Sequence, residues 1–118
     1  MNNYIFDTPI LLLFALSKIA RLSDLEMKYI ELFKSVPSSK IITPSFMLVE
    51  IAKELEKIDN RIFQVYLKEQ LLKHQIVSTT ERDIRRASNL AKRKGLPFRA
   101  ALLNVIAERK KSQLIEIF

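Results

Sequence analysis

Two acidic residues lie next to or within apolar stretches of the sequence. Asp7 directly follows the apolar run at residues 4–6 (YIF), and Glu50 is the single charge within residues 46–52 (FMLVEIA). An ionised carboxylate that leaves water needs a compensating partner, and carboxylate oxygens are ligands that Mg²⁺ and Mn²⁺ prefer. Each residue also has a simpler interpretation. Asp7 can cap a helix that begins near Pro9, and Glu50 can face solvent on a half-buried helix.

Other kinds of catalytic site are poorly supported by the composition. The chain has no cysteine, which excludes disulfides, thiolate metal sites and a cysteine nucleophile. Its single histidine, His74, argues against a multi-histidine zinc site, and its context before a strand favours a surface or packing role over catalysis. One glycine, Gly95, cannot build a glycine-rich phosphate loop. Carboxylates are therefore the remaining candidates for chemistry.

The elements that must position these acids alternate along the chain. Short apolar strands are predicted at 4–6, 40–45, 74–80 and 113–118, and helices at 9–20, 24–35, 45–57, 61–73, 81–94 and 97–109. This alternation predicts a single α/β domain over residues 1–118, a three-layer α/β/α sandwich with a short, mainly parallel four-stranded sheet. Ligands bind such sheets beyond the carboxyl ends of the strands. Asp7 is expected at that edge.

Charge is distributed unevenly between the two halves of the 118-residue chain. Residues 1–60 contain seven Lys and Arg against eight Asp and Glu, whereas residues 61–118 contain thirteen against five. The second half either forms a basic face for an anionic partner, with RNA the first candidate, or carries lysine-rich solvated helices. The candidate nucleic-acid-binding residues are Arg82, Arg85, Arg86, Lys92, Arg93, Lys94 and Arg99.

The apolar run at residues 10–16 (ILLLFAL) does not predict a targeting or membrane segment. No Lys or Arg precedes it, Asp7 does, and the run is too short to cross a bilayer. We expect a cytoplasmic protein with no membrane partner. The scarcity of glycine and cysteine, with abundant Ile, Lys and Glu, is also typical of heat-adapted proteins.

Four segments together resemble the PIN domain family. Residues 4–16 (YIFDTPILLLFAL) are similar to its opening strand, aspartate and apolar helix, and residues 43–55 (TPSFMLVEIAKEL) to its second motif, a helix carrying a glutamate. Residues 79–107 resemble its third region, in which a helix, Gly-Leu and a second helix follow one another, and residues 113–118 (QLIEIF) its last strand. The resemblance covers nearly the whole chain in the family's order. It implies a PIN fold.

The resemblance assigns Asp7 and Glu50 to the first two acids of the PIN metal site. The third acid would stand at position 100, where this chain has Ala100, and a shift of one register would place Arg99 there, which is worse for a cation. The fourth usually follows the last strand, where Glu116 is followed by Ile117 and Phe118. Asn104 and Glu116 are further possible oxygen ligands. The resemblance thus implies a degenerate member that holds Mg²⁺ or Mn²⁺ weakly, or no metal.

Three functions remain open on the sequence. The first is an RNA- or protein-binding module with impaired or no nuclease activity. The alternative is an active Mg²⁺- or Mn²⁺-dependent endoribonuclease of the toxin type, with an antitoxin-like protein partner, which the resemblance implies for members that have every acid. The third is a structural subunit that forms a homodimer through its apolar helix at 9–16, although burial between sheet and helices explains that helix equally well.

Overall fold

A computed structural model describes residues 2–117, which form an α/β fold. The strands are β1 (Asn3–Phe6), β2 (Ile42–Pro44), β3 (Gln75–Val77) and β4 (Ser112–Ile115). The helices are α1 (Thr8–Leu16), α2 (Asp24–Ser35), α3 (Ser45–Glu56), α4 (Asn60–Glu69), α5 (Glu81–Lys94) and α6 (Phe98–Arg109). Two short 3₁₀ turns, Ser38–Lys40 and Leu71–Lys73, precede β2 and β3.

The strands are all parallel and bring their carboxyl ends to one edge. β1 pairs with β4, with Asn3 opposite Ser112 and Phe6 opposite Ile115, and β2 pairs with β3. A single parallel bridge between Tyr4 and Ile41 joins the two pairs. The resulting order is β4-β1-β2-β3. The predicted α/β fold with a short parallel sheet is confirmed, although β2 and β3 have only three residues each.

Local sequence signals explain where the helices begin and end. At the start of α5 the Thr80 hydroxyl accepts a hydrogen bond from the Asp83 amide, and the Asp83 carboxylate accepts one from the Thr80 amide. This capping box satisfies two otherwise unpaired donors. Gly95 ends α5 with φ of 65°, a left-handed conformation that favours glycine. The predicted bounds of α2 and α5 are therefore correct.

Two predicted helices are too long. α1 ends at Leu16 rather than near residue 20, because the Ser17 hydroxyl bonds to the Phe14 carbonyl and the Ile19 amide bonds to the Leu16 carbonyl in a tighter turn. α4 ends at Glu69 rather than residue 73, and the chain continues in the 3₁₀ turn before β3. Both differences occur at helix ends, where turns of different pitch compete.

The core lies between the sheet and the helices and fixes α1 and α3 beside each other. Ile10 and Leu11 of α1 and Met47 and Ile51 of α3 are fully buried. At the other end of the fold, the buried Asp83 carboxylate accepts bonds from Arg109 at 2.9 and 2.7 Å, which ties the start of α5 to the end of α6. The last turn of α6 is thereby held against the first turn of α5.

Candidate functional site

Asp7 has both of the positions predicted for it, at the end of β1 and at the cap of α1. Its amide donates to the Ile115 carbonyl at 2.9 Å, which continues the pairing of β1 with β4. Its Oδ1 accepts from the Thr8 amide at 2.7 Å and caps the helix that Pro9 helps to begin. The residue is buried, with 9% of its surface exposed. The capping role therefore does not remove Asp7 from the sheet edge.

Glu50 faces Asp7 and Thr8 rather than bulk solvent. It lies on α3 at the border of the buried face that Met47, Ile51 and Leu55 form, and it is half-buried. Its Oε1 accepts a hydrogen bond from the Thr8 hydroxyl at 2.7 Å. The Glu50 carboxylate, the single charge within residues 46–52, is thus hydrogen-bonded inside the fold.

The cation that compensates both acids is Arg99, the second residue of α6. Its Nε lies 2.6 Å from Glu50 Oε2, and its Nη2 lies 2.8 Å from both Asp7 Oδ1 and Glu50 Oε1. The same Nη2 is 3.0 Å from the Thr8 hydroxyl. The guanidinium carbon stands 5.7 Å from the centre of the Phe46 ring, within cation–π range. Arg99 therefore links the ends of β1, α3 and α6 in one ionic cluster.

The ionisation of Glu50 and Arg99 reflects this cluster. Burial acts to raise the pKa of Glu50, but hydrogen bonds from Arg99 and Thr8 and the positive charge of Arg99 outweigh it, so the pKa is below its ordinary value. Hydrogen bonding to Glu50 raises the pKa of Arg99 further above its usual range. Burial opposes this shift, and the hydrogen bond to Asp7 and its negative charge add to it. Both groups remain charged near neutral pH.

The cluster forms one wall of a cleft of about 340 Å³ at the sheet edge. Its lining residues are Asp7, Thr8, Pro9, Glu50, Lys53, Glu54 and Arg99. Neither of the further predicted ligands is among the residues that line the cleft. The exposed Asn104 donates its amide to the Ala100 carbonyl at 2.8 Å, and Glu116 is exposed beyond β4. The structure thus brings together Asp7 and Glu50 but neither Asn104 nor Glu116.

The residues present in the cleft do not fit a divalent metal ion. Within residues 2–117, no three or more His, Asp or Glu side chains converge on a point where they could hold one. The two carboxylates that do converge direct three of their four oxygens to the Arg99 guanidinium. A divalent cation placed between them would meet a positive charge at hydrogen-bond distance.

The predicted basic residues separate into distinct environments. Arg85 pairs with Glu81, and Arg86 pairs with Glu108 at 3.3 Å. Arg82, Lys92, Arg93 and Lys94 are exposed and form no ion pair with the carboxylates of residues 2–117. Arg99 alone lies in the acidic cleft. Three of these four residues, Lys92, Arg93 and Lys94, lie in the last turn of α5.

Sequence reasoning did not predict how the acidic cleft's two other participants would act there. Thr8 follows β1 and is part of the predicted helix start, and Arg99 is assigned both to the basic surface and, by a shift of one register, to the position of the third acid. A signal for Arg99 existed, because it is adjacent to the position at which the third acid was expected. The Asp83–Arg109 pair was also missed, since 26 residues separate its members and no local pattern links them.

Comparison with known families agrees with this geometry. The family model described as "PIN domain" matches residues 4–118. The chain belongs to the PIN domain family. No curated protein matches the chain.

Two solved structures share the PIN fold with this chain. One is a toxin–antitoxin complex from Klebsiella pneumoniae, with a TM-score of 0.73, 15% identity, and coverage of 95% of this chain and 83% of the other. The second is Mycobacterium tuberculosis VapC20, titled a sarcin–ricin loop cleaving toxin, with a TM-score of 0.77, 14% identity, and coverage of 98% and 90%. At such identities the similarity establishes the fold. No helix of this PIN domain, over residues 2–117, has the length and apolarity to span a membrane.

Proposed function

We propose that this PIN domain binds RNA through its basic second half and does not catalyse metal-dependent cleavage. The observation that carries the proposal is the Arg99 guanidinium between Asp7 and Glu50, with contacts of 2.8 and 2.6 Å. In metal-dependent phosphodiester hydrolysis, the ion polarises the phosphate and lowers the pKa of an attacking water. Arg99 supplies a positive charge at that place but no coordination site for a water.

Competition between Arg99 and an added metal ion favours the arginine. Arg99 is part of the chain, so its local concentration is high and it loses no translational freedom when it binds the acids. Mg²⁺ loses its hydration shell reluctantly and needs several oxygen ligands. Two carboxylates already bonded to a guanidinium leave Mg²⁺ too few free oxygen ligands. This comparison supports a cleft without the predicted Mg²⁺ or Mn²⁺.

The cleft also contains no histidine among its lining residues. Hydrolysis without a metal needs a general base near the attacking water, and histidine is the usual one. His74 lies in the core, where its Nδ1 is 2.9 Å from the Thr43 hydroxyl and its ring packs against Phe33. Burial lowers the pKa of His74 to about 4. It serves packing and lies outside the residues that line the cleft.

RNA binding is supported by charge. The second half of the chain has eight more basic than acidic residues, and the cations at the end of α5 lack acidic partners within residues 2–117. Such cations bind phosphates and release counterions, which makes the affinity strongly salt-dependent. VapC20, which shares the fold, is titled as a toxin that cleaves the sarcin–ricin loop.

A protein partner is a second candidate, favoured by apolar grooves on both sides of α1. One groove of about 360 Å³ includes Ala15, Ile62 and Val65, and another of about 320 Å³ includes Leu13 and Leu16. One of the solved structures with this fold is a toxin–antitoxin complex. These observations support an antitoxin-like partner. A homodimer through the same helix stays a prediction.

The alternative of an active endoribonuclease makes a different prediction in one experiment. Labelled single-stranded RNA is incubated with the protein in low salt, with Mn²⁺ or with chelator, and both anisotropy and strand integrity are followed. We expect salt-sensitive binding in both conditions and intact RNA. Mn²⁺-dependent cleavage that Asp7→Asn abolishes would establish the nuclease instead. Absence of any binding at low salt would refute the RNA-binding half of the proposal.

A further inference from the structure

The strongest unassigned feature is an exposed aromatic ring that begins α6, directly after the loop that follows the unpaired cations of α5. Phe98 retains 45% exposure and is the only aromatic side chain of residues 2–117 that is exposed. Every other Phe and Tyr in that range is buried or half-buried. Burial of a Phe is ordinarily favourable, so the one exposed ring among the aromatic side chains of residues 2–117 is a candidate contact for a ligand.

A short, defined loop connects Phe98 to the three basic residues at the end of α5. α5 ends with Lys92, Arg93 and Lys94, and α6 begins four residues after Lys94. Four residues of extended chain span at most about 14 Å. The left-handed Gly95 and the bond from the Leu96 amide to the Ala91 carbonyl at 3.1 Å make the connection a compact turn. The backbone at Phe98 therefore lies within about 14 Å of Lys94, and the side chains of Phe98, Lys92, Arg93 and Lys94 are all exposed.

The ring is independent of the acidic cleft. Successive positions on a helix are rotated by about 100°, so the side chains at 98 and 99 leave α6 in different directions. Arg99 is directed into the cleft, where it bonds to Asp7 and Glu50, and Phe98 is not among the residues that line that cleft. A ligand on Phe98 does not need to displace Arg99.

We propose that Phe98 stacks on an unpaired nucleobase of single-stranded RNA while Lys92, Arg93 and Lys94 contact the adjacent phosphates. This site rests on the RNA binding proposed above and specifies its form. Stacking platforms combined with basic side chains are the usual means of binding single strands without sequence readout. In a duplex the bases are already stacked and paired, so the ring has no face to contact.

The absence of tryptophan from the chain permits a direct test. Phe98→Trp introduces a single tryptophan fluorophore at the site, and Ile84→Trp introduces one at an exposed position earlier on α5, where Ile84 is 47% exposed. Each variant is titrated with oligouridylate and with a duplex of the same length. We expect fluorescence quenching at position 98 by the single strand, little by the duplex, and little in the Ile84 variant.

Affinity measurements separate this site from the broader proposal. Phe98→Ala should weaken single-strand binding by roughly five- to hundred-fold and leave duplex binding unchanged, and Ile84→Ala should change neither. Phe98→Trp should retain wild-type affinity. If Phe98→Ala binds as well as wild type while Lys92→Ala, Arg93→Ala and Lys94→Ala weaken binding, the stacking site is refuted and RNA binding stands. If wild-type protein binds neither RNA at low salt, both proposals fail.

Discussion

The guanidinium of Arg99 stands between the carboxylates of Asp7 and Glu50, 92 residues apart from the first and 49 from the second. Its Nη2 contacts one oxygen of each acid at 2.8 Å. The acid pair that the PIN family resemblance assigns to a metal ion is thus bonded to a cationic side chain of the same chain. This relationship has consequences for stability as well as for activity.

Removal of Arg99 should destabilise the fold. Arg99→Ala leaves two carboxylates facing each other without a cation, and breaking a fully buried pair costs about 3–5 kcal/mol. Because the Arg99 side chain retains 38% exposure, solvent screens the loss, and we expect about 2 kcal/mol in urea unfolding. Arg82→Ala, an exposed arginine without an acidic partner in residues 2–117, is the matched control and should change stability by less than about 0.5 kcal/mol. Equal effects of the two substitutions would contradict the cluster's structural role.

The pH dependence of stability should reveal the state of Glu50. Its pKa is lowered in the fold, so its contribution is present above its ordinary value of 4.5 and is lost as the pH falls below that value. In Arg99→Ala the sign should reverse, because protonation relieves the repulsion between Asp7 and Glu50. Unfolding midpoints of the two proteins should therefore converge on acidification. A constant difference across that range would contradict this interpretation.

His74 should make the stability of the fold depend on pH over a higher pH range than Glu50 does. Its pKa is lowered from 6.5 to about 4 by burial, so the unfolded chain binds the proton first. Stability is complete above pH 6.5 and is lost as the pH falls toward 4, with a slope of at most about 1.4 kcal/mol per pH unit. His74→Gln should remove that slope, whatever its effect at neutral pH. An unchanged slope in the variant would assign the effect to another group.

The Asp83–Arg109 ion pair should stabilise the packing of α5 against α6. Asp83 is 1% exposed and loses its charge in Asp83→Asn, which leaves the Arg109 guanidinium without its anionic partner. We expect about 3 kcal/mol of destabilisation by denaturant unfolding. Asp24→Asn, in the exposed first turn of α2, is the control and should cost only a few tenths of a kcal/mol from the helix dipole. Comparable losses would mean that the pair is not specifically stabilising.

RNA affinity should depend on salt through the cations of α5. Each phosphate contact contributes about 0.7 to the slope of log affinity against log salt for a single strand. The combined Lys92→Ala, Arg93→Ala and Lys94→Ala variant should lower that slope by about 2. Arg21→Ala, Lys28→Ala and Lys68→Ala together remove the same charge from exposed positions elsewhere. An equal reduction by this control would indicate net charge rather than a defined site.

Much of the fold could be predicted because its signals are local. The capping box at Thr80 and Asp83 and the left-handed Gly95 define α5 without reference to the rest of the chain. The position of Asp7 followed from the rule that ligands meet parallel strands at their carboxyl ends. The role of Arg99 could not be derived in this way, because a basic residue after a helix start is equally compatible with a solvated face. Only the packing of α6 against the sheet directs its side chain to Asp7 and Glu50.

We propose that Arg99 takes the place of the metal ion between Asp7 and Glu50, and calorimetric titration with Mn²⁺ is the decisive test. Wild-type protein, Asp7→Asn and Glu50→Gln are titrated under identical conditions without RNA. We predict the same weak, non-saturating heats for all three proteins, because the carboxylates are already bonded to Arg99. Saturable one-to-one binding by wild type that either substitution abolishes would contradict the account.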